Sequence, residues 1–207
     1  VFITGGCKNG KSGRAEQLAL AIQGYVNSRS DQSFPLYYVA TMVSSNDEDE
    51  RRITQHQLNR AGLGFTTIEI VTEIDALTNE LDKDGVVLLD SLTALLLNEM
   101  IGATDQFDID AVDRTLSQVA SLIDYFNNMV LVSDYIYSDA ALYDDLTTQY
   151  RLGLASIDRM VAARADIVVE ACFGNYVTHK GADALEELLP QFESALKSVD
   201  VAQVLST

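Results

Sequence analysis

The sequence predicts an α/β fold, a mostly parallel sheet with helices on both faces, and three observations carry that reading. Short apolar, β-rich runs alternate with stretches of helical periodicity. A glycine-rich loop follows the first run and opens the first helix. The continuous apolar run Val86–Asp90 ends in an acid, as a buried parallel strand does at its carboxyl end. The 207 residues suffice for one such domain with a sizeable core, and 181–207 are expected to form its C-terminal helical extension.

Val1–Thr4 is the first strand. Arg14–Val26 places apolar residues at 15, 18, 19, 22, 25 and 26, one stripe of a helix. Pro35 precedes a second strand, Leu36–Thr41. Asp47–Leu63 reads as a polar helix, Thr66–Ile70 as a third strand and Glu73–Leu81 as a short helix. After Val86–Asp90 come helices over Ser91–Ile101 and Asp108–Asn127, with the acid-rich Gly102–Asp110 the most loop-like stretch. Met129–Ser133 is another buried strand, followed by a helix over about 147–164. Asp166–Ala171 and Asn175–Thr178 are the last strands, and Ala182–Ser198 is an amphipathic helix. Ligands of such sheets sit at the carboxyl ends of the strands. Those ends here are Thr4-Gly5, Thr41, Asp90 and Ser133-Asp134, polar in every case.

Composition narrows the function. Hydrophobic residues make up 47%, enough for a packed interior, and no apolar run is long enough to span a bilayer. Two cysteines, Cys7 and Cys172, fit a reduced, cytoplasmic protein. A net charge of −17 argues against nucleic acid or an anionic membrane as partner. Of 14 Lys and Arg, six fall in two short windows: Lys8, Lys11 and Arg14, then Arg51, Arg52 and Arg60. An acidic protein that binds a polyanion needs its positive charge at the site.

Gly5-Gly6-Cys7-Lys8-Asn9-Gly10-Lys11-Ser12 matches G-x-x-x-x-G-K-[ST] in full, after a strand and before a helix. The glycines let backbone N–H groups curl inward around phosphate oxygens, and the helix adds its N-terminal dipole. Lys11 is expected to reach the β and γ phosphates of GTP or ATP, and the Ser12 hydroxyl to ligate Mg²⁺. Asp90 is the expected second holder of the Mg²⁺; the bland alternative is a cap for the helix that follows.

In the second window, Arg52, His56 and Arg60 are spaced by four and share a helix face. Two guanidiniums flanking an imidazole disfavour the imidazolium, and a neutral His beside a nucleotide could attack its α-phosphorus. Chemistry alone favours the other reading, a solvated helix whose arginines pair with Asp47 to Glu50. His179, after the last strand, reads as an exposed turn residue.

These residues together resemble a known family, the bifunctional adenosylcobinamide kinase / adenosylcobinamide-phosphate guanylyltransferases of cobalamin biosynthesis. The likeness runs through the loop and Ala15-Glu16, then Tyr38-Val39-Ala40-Thr41, close to the family's Y-[IV]-A-T. It continues with Asp47-Glu48, Arg52-Ile53, His56 and Arg60, matching D-E-x-x-x-R-I-x-x-H-x-x-x-R. Thr67-Ile68-Glu69 is similar to its T-x-E, and Leu89-Asp90-Ser91-Leu92-Thr93 with Asn98 to its [LV]-[DE]-C-[LI]-T…N. The resemblance implies a RecA-type P-loop sheet, a propeller-shaped homotrimer and a two-step enzyme. A nucleoside triphosphate would phosphorylate adenosylcobinamide, and GTP would then donate GMP to that phosphate. The resemblance places the GMP-carrying histidine at His56, phosphate-neutralising charge at Arg52 and Arg60, and a nucleotide contact at Glu69. That reverses the reading of His56 from chemistry alone.

The sequence departs from the family in two places. Its N-E-V-G-x-G-I-V-P is here Asp134-Tyr135-Ile136-Tyr137-Ser138-Asp139-Ala140, without the Glu and both glycines. Its later R-D and N-Q are Arg151-Leu152 and Asp158-Arg159. Two alternatives therefore stand beside the bifunctional enzyme: a divergent member that binds nucleotide without this chemistry, and a P-loop kinase of another small alcohol.

Overall fold

The computed structural model describes residues 1–42, 54, 58, 60–102, 107, 108, 110–188 and 190. Seven strands form one sheet: β1 (Phe2–Gly5), β2 (Leu36–Ala40), β3 (Phe65–Glu69), β4 (Val86–Asp90), β5 (Asn128–Val132), β6 (Val168–Cys172) and β7 (Asn175–Lys180). Their order is β3-β2-β4-β5-β1-β6-β7, with every pair parallel except the β6–β7 hairpin. The loop strand β1 is thus separated from the acid-bearing strand β4 by β5.

Helix α1 (Lys11–Asn27) covers one face. Its stripe buries Ala15, Leu18, Ala19 and Ile22 against Ile3, Val86, Leu88, Val130 and Val132. Each fully buried aliphatic side chain contributes about 1.5–3 kcal/mol relative to exposure. The stripe did not include Glu16, which is buried on the same helix. Helices α3 (Leu92–Ile101), α4 (Ala111–Tyr125) and α5 (Asp145–Arg164) cover the other face, packing Leu95, Leu96, Val119, Leu122, Leu154 and Ile157 with Val87, Leu89 and Leu131. Residues 182–188 are helical, and Leu185 and Leu188 pack into the α1 side of the core.

Two local expectations are corrected. The short helix expected over Glu73–Leu81 is a 3₁₀ turn, Ile74–Ala76, followed by the single-turn α2 (Leu77–Glu80). Glu73 takes a positive φ of 53° and so stands outside both. His179 is a strand residue of β7 rather than a turn residue, because β7 continues to Lys180 to pair with Val168. Most of the expected helix Asp47–Leu63, with Arg51, Arg52 and His56, lies outside the described residues, as does most of Gly102–Asp110. No helix of the described residues is long and apolar enough to cross a membrane.

Candidate nucleotide site

The glycine loop leaves β1 through a backbone that only glycine tolerates at its ends. Gly5 has a φ of 153°, and a Cβ there would collide with the Ala171 carbonyl oxygen on β6. Gly10, at a φ of 78°, turns the chain into α1 as its N-cap residue. Between them Cys7 and Lys8 are exposed and Gly6 and Asn9 half-buried. Tyr176 of β7 leans over the loop, its hydroxyl donating to the Gly10 carbonyl at 3.4 Å, with the Arg14 guanidinium 4.6 Å above its ring.

Lys11 opens α1 and is only 6% exposed. Its Nζ donates to the Gly6 carbonyl at 2.7 Å and pairs with Asp134 Oδ1 at 2.6 Å. The ammonium is therefore folded back under the loop, the place from which it would meet phosphate. Asp134 directly follows Ser133 at the end of β5, and its N–H donates to Thr93 Oγ1 at 2.8 Å. Ser12 is half-buried in the first turn of α1.

Asp90 ends β4, half-buried, and accepts from the Tyr38 hydroxyl at 2.8 Å through Oδ2. The cap of α3 is Ser91, whose Oγ accepts from the Ala94 N–H at 3.3 Å, so the capping alternative for Asp90 does not hold. Thr41 ties the ends of β2 and β4 together: its Oγ1 accepts from Ser91 N–H and donates to Ser91 O, both at 2.8 Å. Asn98 donates to the Thr41 and Val71 carbonyls at 2.7 and 3.2 Å. The L-D-x-L-T…N run is thus one connected edge: Asp90 facing Tyr38, Thr93 holding Asp134, Asn98 holding Thr41.

Arg60 is buried, not aimed at solvent. Its guanidinium lies 3.5 Å over the Tyr38 ring and 3.4 Å from Glu16 Oε1. Burial pushes the Glu16 carboxyl up to about 7, with Arg60 opposing the rise. Glu69 is exposed at the end of β3, level with Ala40 on β2. Arg52 and His56 lie outside the described residues, so only Lys11, Ser12, Asp90, Glu69 and Arg60 of the predicted set, with the loop itself, are placed.

The two departures from the family pattern touch each other. Tyr137 Oη donates to Asp158 Oδ2 at 2.9 Å, and Arg151 reaches the Ile136 carbonyl and Asp139, each at 2.9 Å. Ser133 Oγ also donates to Asp158 Oδ2, at 3.1 Å, while Asp158 Oδ1 is buried without a partner. Burial pushes the Asp158 carboxyl up to about 6, against the two hydroxyl donors. Sequence reasoning missed Asp134, Tyr38, Glu16 and Asp158 as parts of one site. The signals were the polar end Ser133-Asp134 after an apolar run, the likeness of Glu16 and Tyr38 to the family pattern, and the departure from it at Asp158. Among the described residues, no three His, Cys, Asp or Glu side chains gather as a metal cluster.

The sequence signature of the family described as "Cobinamide kinase / cobinamide phosphate guanyltransferase" matches residues 1–178. The chain belongs to this family. It is therefore a transferase of cobalamin biosynthesis, with a kinase and a guanylyltransferase as its paired activities. Two relatives, each named bifunctional adenosylcobalamin biosynthesis protein CobU, align over 179 residues, 81% of this chain and 92% of theirs. The Escherichia coli (strain K12) protein is 25% identical and the Salmonella typhimurium (strain LT2) protein 26% identical. A solved structure from Pyrococcus horikoshii OT3 aligns with 87% of this chain and 85% of its own, at 12% identity and a TM-score of 0.43. The CobU match ends at Thr178, one residue before His179.

Proposed function

We infer that this CobU-family chain phosphorylates the aminopropanol hydroxyl of adenosylcobinamide with ATP or GTP. It then transfers GMP from GTP to that phosphate by way of His56, giving adenosylcobinamide-GDP and pyrophosphate. The observation that carries the reading is the P-loop lysine: Lys11 sits inside the glycine loop with its ammonium at the Gly6 carbonyl, poised where phosphate oxygens would replace Asp134. Loop amides and Lys11 stabilise charge on the transferred phosphoryl group as the substrate oxygen attacks and the nucleoside diphosphate leaves.

The donors at the start of α1 and the end of β4 fit a Mg²⁺ ion. Ser12 and Asp90 offer hard oxygens, and among the described residues Asp90 is engaged through Oδ2 alone, by Tyr38. Bound there with the nucleotide, Mg²⁺ would neutralise charge on the β and γ oxygens.

In the second step the neutral His56 imidazole attacks the α-phosphorus of GTP and pyrophosphate leaves. A phosphate oxygen of the acceptor then displaces the histidine, which returns to its neutral form. Arg52 and Glu69 complete the nucleotide contacts. Arg60 adds positive charge from a buried position, held by Glu16 and Tyr38. The reading includes a homotrimer and a cytoplasmic location, the first checked by light scattering.

The test is incubation with GTP labelled at the α-phosphate. Wild-type protein is expected to take up acid-labile GMP and H56N none. Wild-type protein that binds GTP but takes up no label rules out the transferase step. The altered 134–140 stretch, without the family's Glu and glycines, motivates a second reading, nucleotide binding without this chemistry. Adenosylcobinamide left unphosphorylated by protein that binds ATP would decide for it.

A further inference from the structure

Asp90 is oriented by more than its strand. On the neighbouring strand β2, Tyr38 is 5% exposed, and its hydroxyl donates to Asp90 Oδ2 at 2.8 Å. The ring that carries this hydroxyl is held from two sides. The Arg60 guanidinium lies 3.5 Å over its centroid, and the Phe65 ring meets its edge with centroids 6.1 Å apart. Arg60 is itself fixed by Glu16 of α1 at 3.4 Å, with its Nε buried and unpartnered. A continuous chain of contacts, Glu16–Arg60–Tyr38–Asp90, therefore joins the P-loop helix to the end of β4.

The geometry points to Tyr38 as the positioning residue of the metal site: by holding Oδ2 of Asp90 it presents the other oxygen, Oδ1, to the cation of the bound nucleotide. The inference rests on the reading of Asp90 as a Mg²⁺-holding carboxylate. A carboxylate that swings between rotamers binds a small cation less well than one held by a charge-assisted hydrogen bond. Tyr38 touches neither nucleotide nor acceptor in this role; it acts only through Asp90.

The experiment is a Mg²⁺ titration of fluorescent N-methylanthraniloyl-GTP binding to the full chain, with wild type, Y38F, D90N and the double variant, and with EDTA as the metal-free arm. Y38F keeps the ring under Arg60 and removes only the hydroxyl. It is expected to raise the Mg²⁺ concentration at half-effect about three- to tenfold and to leave binding in EDTA within about twofold. In the D90N background Y38F should shift the Mg²⁺ half-point no further. A merely structural role would lower binding in both arms and add to D90N. A Y38F half-point equal to that of a metal-dependent wild type overturns the inference alone. Metal-independent binding by wild type overturns it together with the metal role of Asp90.

Discussion

The two halves of the site are built from different material. The phosphate half is main chain: Gly5 pressed against Ala171, Gly10 turning into α1, and Lys11 folded back onto the Gly6 carbonyl. The half formed by residues 133–159 is side chain: Ser133, Tyr137, Asp139, Arg151 and Asp158, bonded to one another across β5 and α5. The first half keeps the family pattern, whereas in the second Tyr137, Asp139 and Asp158 depart from it while Arg151 keeps it. Main-chain geometry leaves few alternatives to glycine, whereas a side-chain network can be exchanged if its members change together.

Breaking the main-chain half should cost most. K11A is expected to lower kcat/KM for both cobinamide phosphorylation and GMP transfer by at least about 10²-fold, measured in coupled assays. Equal loss in both steps would mark one shared nucleotide cradle.

The side-chain half is expected to show itself in stability rather than in nucleotide affinity. The Asp158 carboxyl is raised from 3.8 to about 6 in the folded chain. Between those values the folded protein binds more protons than the unfolded chain, so stability falls as pH rises from about 4 to about 6 and is level above that. D158N removes the decline. Relative to wild type, it should gain on the order of 2–3 kcal/mol between pH 4 and pH 8 in urea unfolding, with the nucleotide Kd unchanged. A parallel pair of pH curves would contradict this.

The smallest expected effect lies where the halves meet. D134N removes the negative charge 2.6 Å from Lys11 and restores the family's asparagine. It should tighten triphosphate binding about fivefold, read by calorimetry, and tighten nucleoside monophosphate binding less.

Much of the sheet was legible in the sequence because buried parallel strands are written as uninterrupted apolar runs. Val86–Asp90 was placed to the residue, and the stripe at 15, 18, 19 and 22 found the buried face of α1. The loop was legible because its spacing is dictated by backbone geometry. What stayed hidden depends on neighbours far apart in the chain. Glu16, Arg60, Tyr38 and Asp90 carry no common period, and nothing in their spacing shows a chain of contacts. The helix expected over Glu73–Leu81 is split into a 3₁₀ turn and one α turn, with Glu73 outside both at a positive φ, its N–H donating to Glu99 Oε1 on distant α3 at 2.7 Å. His179 looked like a turn residue because the antiparallel partner that extends β7, the β6 strand, lies several residues upstream.

The strand carrying the loop is the first in the chain but sits between two late ones: Phe2 pairs with Leu131 on one side and Val168 on the other. Both partners of β1 lie far along the sequence, so each pairing closes a long stretch of intervening chain. Such distant pairing slows assembly, because the intervening chain must be drawn in before the contact is rewarded. The cradle is thus completed only once β5 and β6 flank β1, and capture of a triphosphate reports that both distant strands are in place.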